Sequence, residues 1–300
     1  LKADVGVALV GSYKLVLFQT IGWMLLALSC FSVMAIAARE LSGALSTFEI
    51  VGFRSAIGLV LVVLIIAARG KAEWRTTQLP HHFARNLTHF VGMLAWFYAL
   101  SVIPLASVFA FEFTTPIWTT VFAVLFFRER LTFSRLVAVV CGFAGVLIVL
   151  RPGLVQWPLA AYGMLLGAAF YGIAHNLTKT LTAQNSTLTI LFYMMLLQMP
   201  LGMVPAIWHW VWPTMLQCGW LLLMGTVGLF GHFCMTRALV LSDASVVVPL
   251  DFLRLPLIAM VGFVLYGEAF NLWVLVGAAM MLAGILYNLR AETRVRTEAT

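Results

Sequence analysis

Charge is what this chain has least of. Only 10% of its 300 residues are Asp, Glu, Lys or Arg, where a soluble globular domain carries about a quarter. So little charge cannot clothe a water-facing surface, and an ordinary soluble domain is excluded. The four cysteines (Cys30, Cys141, Cys218, Cys234) have no CxxC spacing, which argues against a disulfide framework or a thiolate metal site. No GxxxxGK[ST] loop is present to cradle a nucleotide, so ATP does not drive this chain directly. HExxH, Gly-x-Ser-x-Gly and the aspartate-rich pair that holds magnesium in membrane prenyltransferases are missing as well. No histidine set has metal-ligand spacing, and neither a metal nor a cofactor is expected.

What is present is apolar: 63% of residues are hydrophobic and the mean hydropathy is +1.02. In a bilayer only helices or closed barrels satisfy their own backbone, and barrel strands alternate apolar with polar residues. The blocks here are continuous. The fold class read from them is all-α integral membrane, with ten spans of roughly 20 residues. They are placed near 16–37, 47–68, 84–102, 105–127 and 133–150, then 160–181, 187–207, 216–239, 244–266 and 271–289. Leu28-Ser29-Cys30 resembles a lipoprotein cleavage site, but cutting there would remove the partner of the sixth span, so the first is read as a span.

The chain says nearly the same thing twice, about 140 residues apart. Arg39 and Leu41 recur as Lys179 and Leu181, Ser46-Thr47 as Ser186-Thr187, Ala99-Leu100 as Ala238-Leu239, and Gly145 as Gly284. The repeats are taken as residues 1–152 and 153–300. Five helices per repeat forces the second copy to insert upside down. Cations agree with that. With the N-terminus in the cytoplasm, Lys2, Lys14, Arg69, Lys71, Arg75, Arg85, Arg128, Arg130, Arg135, Lys179, Arg237, Arg290, Arg294 and Arg296 fall inside, while only Arg39 and Arg151 fall outside. Both termini are then cytoplasmic. The pI near 9.5 reflects these loops and anionic headgroups, not nucleic acid.

Several stretches resemble the drug/metabolite transporter superfamily, specifically its EamA-type members. They are Glu49-Ile-Val-Gly-Phe-Arg54, Pro104-Leu-Ala-Ser107 with Thr114-Thr-Pro116, Arg128-Glu129-Arg130-Leu131, and the run from Gly142 to Pro152. Leu250-Asp-Phe-Leu-Arg-Leu-Pro256, Tyr266-Gly267-Glu268 and Gly284 continue it in the second half. The resemblance covers all ten spans. It implies a central cavity lined by helices one to four of each half, peripheral fifth and tenth helices, and halves that rock to expose the cavity alternately. One departure matters: Glu49 and Arg54 correspond to Thr189 and Met194, so a two-fold symmetric site is not expected.

An ionisable residue in a span costs at least ~2.5–3.5 kcal/mol on insertion scales, so each needs a reason. The candidates are Arg54, Glu112, Asp251 and Arg254, with Glu49 nearer the boundary. Arg54 and Glu112 each lie about 10 Å below the outer boundary at 1.5 Å per residue and are expected to pair. Asp251 and Arg254, three apart, are expected to share a helix face. Structural ion pairing and solute contact remain as alternatives, since arginine captures carboxylate and phosphate groups bidentately.

Pro116 and Pro256 lie inside the fourth and ninth spans and are expected to kink them, freeing the carbonyls of Glu112 and Phe252 toward the cavity. Trp23, Trp96, Phe111, Trp118 and Tyr171 are candidates for an aromatic wall. His175, Asn176 and His232 are candidates either for cavity lining or for bonds between helices. The reading is an inner-membrane secondary transporter, not an enzyme. It moves a small anionic or zwitterionic metabolite, amino-acid- or nucleoside-like, with a proton as candidate coupling ion. An integral membrane enzyme using the intramembrane acids and a passive channel are the alternatives.

Overall fold

The computed structural model describes residues 2–70, 74–127, 132–151, 156, 158–269 and 272–298. Lys71, Arg128-Glu129-Arg130-Leu131 and Pro152-Gly153 lie outside the described residues, as do the side chains of Lys2, Lys14, Phe252, Arg294 and Arg296. The regular structure described is helical throughout. The helices are α1 (Lys2–Leu41), α2 (Thr47–Arg69), α3 (Leu79–Val102), α4 (Leu105–Glu112), α5 (Thr115–Phe127) and α6 (Phe133–Leu150). They continue as α7 (Leu159–Leu181), α8 (Thr187–Ala206), α9 (Met215–Leu241), α10 (Ala244–Val247), α11 (Arg254–Tyr266) and α12 (Leu272–Glu298). Short 3₁₀ turns cover Ile207–His209 and Val248–Leu253.

Local sequence sets many of the ends. Ser46 accepts from the Glu49 amide while the Glu49 carboxylate accepts from the Ser46 amide at 2.8 Å, a reciprocal cap that satisfies two orphan donors. Thr214 and Gln217 repeat it on α9. Gly70 and Gly267 close α2 and α11 at φ of 63° and 62°, a conformation that costs glycine no steric penalty.

Among the described residues, six segments are long and apolar enough to cross a membrane: Leu15–Leu41, Thr47–Arg69, Leu105–Phe126, Phe133–Leu150, Thr187–His209 and Met215–Leu241. The outer surface suits a bilayer, with Phe18, Leu125, Phe126, Leu166 and Val264 all exposed. A water-facing surface rarely presents contiguous apolar area on that scale.

Two expected spans change their helical geometry just ahead of their prolines. The fourth divides at Phe113-Thr114, and Pro116 stands in the first turn of α5, where its missing N–H costs nothing. With no N–H at 116, the Glu112 carbonyl loses its helical donor. The ninth consists of α10, the 3₁₀ turn and then α11, with Pro256 in the first turn of α11.

Packing pairs the first half with the second. α1 lies along α9, α2 along α8, α3 along α7 and α6 along α12, while α4 meets α11. The α6–α12 contact is close because glycines face each other: a Cβ built on Gly145 would stand 2.7 Å from the Gly277 carbonyl oxygen.

Candidate functional site

The segments around Glu112 and Asp251, with helices α1, α2, α3, α7 and α9, line a cavity of about 60 Å³. Arg54, Trp96, Glu112, Tyr171, Asp251 and Arg254 line it, together with His89, His175, His232 and Thr115. Eight of the residues singled out from sequence therefore sit where the structure brings charge together, once the broken segments bearing Glu112 and Asp251 are included.

The pairing of the charges differs from the expectation. Glu112 Oε1 accepts from Arg254 Nη2 at 2.8 Å, and Asp251 Oδ2 accepts from the same nitrogen at 2.7 Å. The shared face expected of Asp251 and Arg254 is present; the Arg54–Glu112 pair is not. Equal depth does not fix azimuth. α4 packs on α11, which turns Glu112 toward Arg254, whereas α2 packs on α8. Glu112 is further held by Trp96, whose indole Nε1 donates to Oε2 at 2.6 Å. The Arg254 guanidinium lies over Phe109 at 4.5 Å and Phe31 at 5.6 Å, contacts that favour a cation over a ring face.

Arg54 is fully buried and, among the described residues, has no carboxylate in ion-pair range. Nη2 donates to Gln198 Oε1 at 3.4 Å, Nη1 approaches Met34 Sδ at 3.7 Å, and Nε has no partner. Thr115 Oγ1, His175 Nδ1 and Arg254 Nε are also buried and unpartnered, and all four residues line the cavity. Buried polar groups are normally satisfied. Four unsatisfied ones converging on one cavity are what a site for a polar ligand presents.

Five candidates fall elsewhere. Glu49 is the cap of α2 and accepts from the Val211 amide at 2.6 Å; its carboxylate is spent on helix ends, not turned to the cavity. Trp23 packs edge-on against Phe233 and lines a different pocket. Asn176 donates to the Thr119 carbonyl at 2.8 Å and to Gly172 at 3.2 Å, which joins α7 to α5. Trp118 stacks on Phe122 and stands partly exposed, while Phe111 is buried away from the cavity lining.

Sequence reasoning missed a polar chain beside Arg54. Arg85, counted among the cytoplasmic cations, is buried in α3 and donates to Thr178 Oγ1 at 3.0 Å and Asn86 Oδ1 at 2.8 Å. Gln198 Nε2 lies 3.0 Å from His89 Nδ1 and 3.5 Å from Asn86 Oδ1. An amide nitrogen only donates, so His89 Nδ1 accepts. Pro80, in the first turn of α3, was the legible signal: a helix starting there carries Arg85 well inside it.

With this arrangement in view, the chain is similar to proteins of known role. The model of the EamA-like transporter family matches residues 19–151 and 158–290. The S-adenosylmethionine uptake transporter of Rickettsia bellii is 25% identical over 278 residues, covering 93% of this chain and 96% of that protein. The riboflavin transporter of Vibrio cholerae is 28% identical over 281 residues, with 91% and 93% covered. The pseudopaline exporter of Pseudomonas aeruginosa is 28% identical over 259 residues, with 85% and 90% covered. A solved crystal structure superposes with a TM-score of 0.73 at 18% identity, covering 92% of this chain and 98% of that one, a likeness of fold. Matched across both halves, and carrying helices long and apolar enough to cross a bilayer several times, the chain belongs to the EamA-like transporter family.

Proposed function

We propose that this protein is a secondary active transporter. It moves a small zwitterionic or anionic metabolite across the inner membrane by alternating access between two inverted repeats, residues 1–152 and 153–300. Ten spans follow if α4 with α5, and α10 with α11, each count as one broken span. Two observations support a two-fold relation between the repeats, and five spans in each would make it an inverted one. A two-fold axis exchanging the repeats maps the α1–α9 contact onto α7–α3 and maps α2–α8 and α6–α12 onto themselves, and all four contacts exist. Equivalent cations also play one role: Arg39 Nη1 donates to the Leu100 and Ile103 carbonyls, as Lys179 Nζ does to Leu239 and Ser242. Cytoplasmic termini follow from the distribution of lysine and arginine.

The observation that carries the solute class is the polarity of the cavity. Glu112 and Asp251 share one guanidinium nitrogen, leaving that end one negative charge in excess, while Arg54 lines the other end without an acid, with Arg85 buried behind it. A solute carboxylate at Arg54 and a cationic group near Glu112 and Asp251 would neutralise both ends, and a proton taken by either acid is the candidate coupling ion. Typical ligand pockets are about 300–1,000 Å³, so the 60 Å³ cavity has to widen for a metabolite to enter, which is what rocking of the halves provides. The relatives named above include both uptake and export proteins.

The test is counterflow in proteoliposomes with amino acids, sulfonium amino acids, nucleosides and flavins. Saturable exchange of a zwitterionic or anionic solute, lost in Arg54→Gln protein that still melts normally, is expected. Saturable exchange confined to simple cations and indifferent to Arg54→Gln would overturn the assignment. Flux that never saturates would point to a channel.

A further inference from the structure

A second cavity, of about 530 Å³, opens on the opposite side of α9 from the first. His232 and Met235 face the central cavity, whereas Phe233 and Arg237 face this one. The C-terminal end of α2 contributes Arg69, α1 contributes Trp23, the loop into α8 contributes Asn185, and the first residue of α8 is Thr187. Two arginines and no carboxylate line it. Among the described residues neither arginine has an acid within ion-pair range; Arg237 instead lies 6.0 Å over the Trp23 ring, which holds its charge at the pocket wall.

Three features give the pocket an anionic preference with an amphiphilic shape. The two guanidinium groups supply forked donors that match phosphate oxygens. The first turn of the 20-residue α8 opens onto the same space, adding the positive end of a helix dipole. Trp23, Phe233, Leu188 and Val240 form an apolar wall beside the charged end. Arg69 is exposed at the last turn of α2, the depth at which a span meets headgroups. Basic pockets between transmembrane helices hold anionic lipid headgroups by this arrangement.

We propose that this pocket binds a phosphate-bearing anion, supplied either by the headgroup of an anionic phospholipid or by free phosphate. It is separate from the solute cavity and does not depend on which solute is carried. Each arginine near the membrane surface adds about fivefold to anion binding, so two add about thirtyfold.

The full-length protein, delipidated in neutral detergent, is titrated with phosphatidylglycerol, with phosphatidylcholine and with inorganic phosphate. Retention is followed by native mass spectrometry and by melting temperature. Phosphatidylglycerol is expected to be retained over phosphatidylcholine. Arg69→Gln and Arg237→Gln should each weaken retention about fivefold, and the double variant about thirtyfold, while Arg69→Lys/Arg237→Lys, which keeps the charges and loses the forks, falls between the double variant and the wild type. Protection by inorganic phosphate with the same arginine dependence, and no preference between the lipids, supports the site and assigns free phosphate as the source. Equal retention of both lipids with no effect of phosphate overturns the proposal. So does unchanged anion binding in the double variant, or in exposed Arg69→Gln alone if the double variant fails to fold.

Discussion

Replacing Arg54 by methionine separates a residue kept for the fold from one kept for a solute. The guanidinium is fully buried, and what holds it is weak: 3.4 Å to Gln198, 3.7 Å to a thioether, and nothing at Nε. A cation in a span costs at least ~2.5–3.5 kcal/mol, and one hydrogen bond from a charged donor returns about 1.5–3 kcal/mol. The net contribution of Arg54 to stability is therefore near zero or negative. Arg54→Met, which keeps an unbranched stem, should leave stability within about 1 kcal/mol of the wild type or raise it. Arg254→Met is the contrast, since it strands Glu112 and Asp251, both within 2.8 Å of the lost nitrogen. Breaking a buried pair from one side costs about 3–5 kcal/mol. Unfolding in detergent followed by tryptophan fluorescence reads the stabilities, and titration with the carried solute reads affinity. Losing a charge-assisted contact of about 1.5–3 kcal/mol should weaken solute binding by Arg54→Met about ten- to a hundredfold. A loss of stability in Arg54→Met as large as in Arg254→Met, with solute binding intact, would refute the reasoning and make Arg54 part of the scaffold.

The partner assignments are separable by double-mutant cycles: Glu112→Gln with Arg254→Gln should show a coupling of about 0.5–3 kcal/mol in stability, and Glu112→Gln with Arg54→Gln none. Glu49→Ala removes the reciprocal cap and the bond from Val211, so it should cost about 1–2 kcal/mol in thermal unfolding and leave solute affinity unchanged. Asn176→Leu deletes the α7–α5 link and should lower stability by about 1–3 kcal/mol without a change in affinity, whereas a loss of affinity alone would return Asn176 to the site. Gly145→Val should destabilise by about 1–3 kcal/mol or more through overpacking, because even a methyl group at that position meets the Gly277 carbonyl.

Composition and repetition were enough to determine that this protein is helical, membrane-spanning and built from two similar halves. Long apolar blocks have few physical solutions in lipid, and the residues that end helices are local: Ser46 with Glu49, Thr214 with Gln217, Gly70 and Gly267. The residues bearing the charged cavity were legible too, because an intramembrane Arg54, Glu112, Asp251 or Arg254 is costly enough to need a reason. The contact of Asp251 with Arg254, three residues apart, was legible as well, but which residues touch between helices was not. Depth along a helix follows from counting residues, but azimuth depends on the neighbour, and that is a property of packing. Only the tertiary structure decided that α4 turns Glu112 to Arg254, that α8 brings Gln198 to Arg54, and that Glu49 is consumed as a cap. It also decided that the helix is interrupted at Phe113-Thr114 ahead of Pro116 and tightens to a 3₁₀ helix ahead of Pro256, since a proline in a first turn and one in a helix interior read alike in sequence.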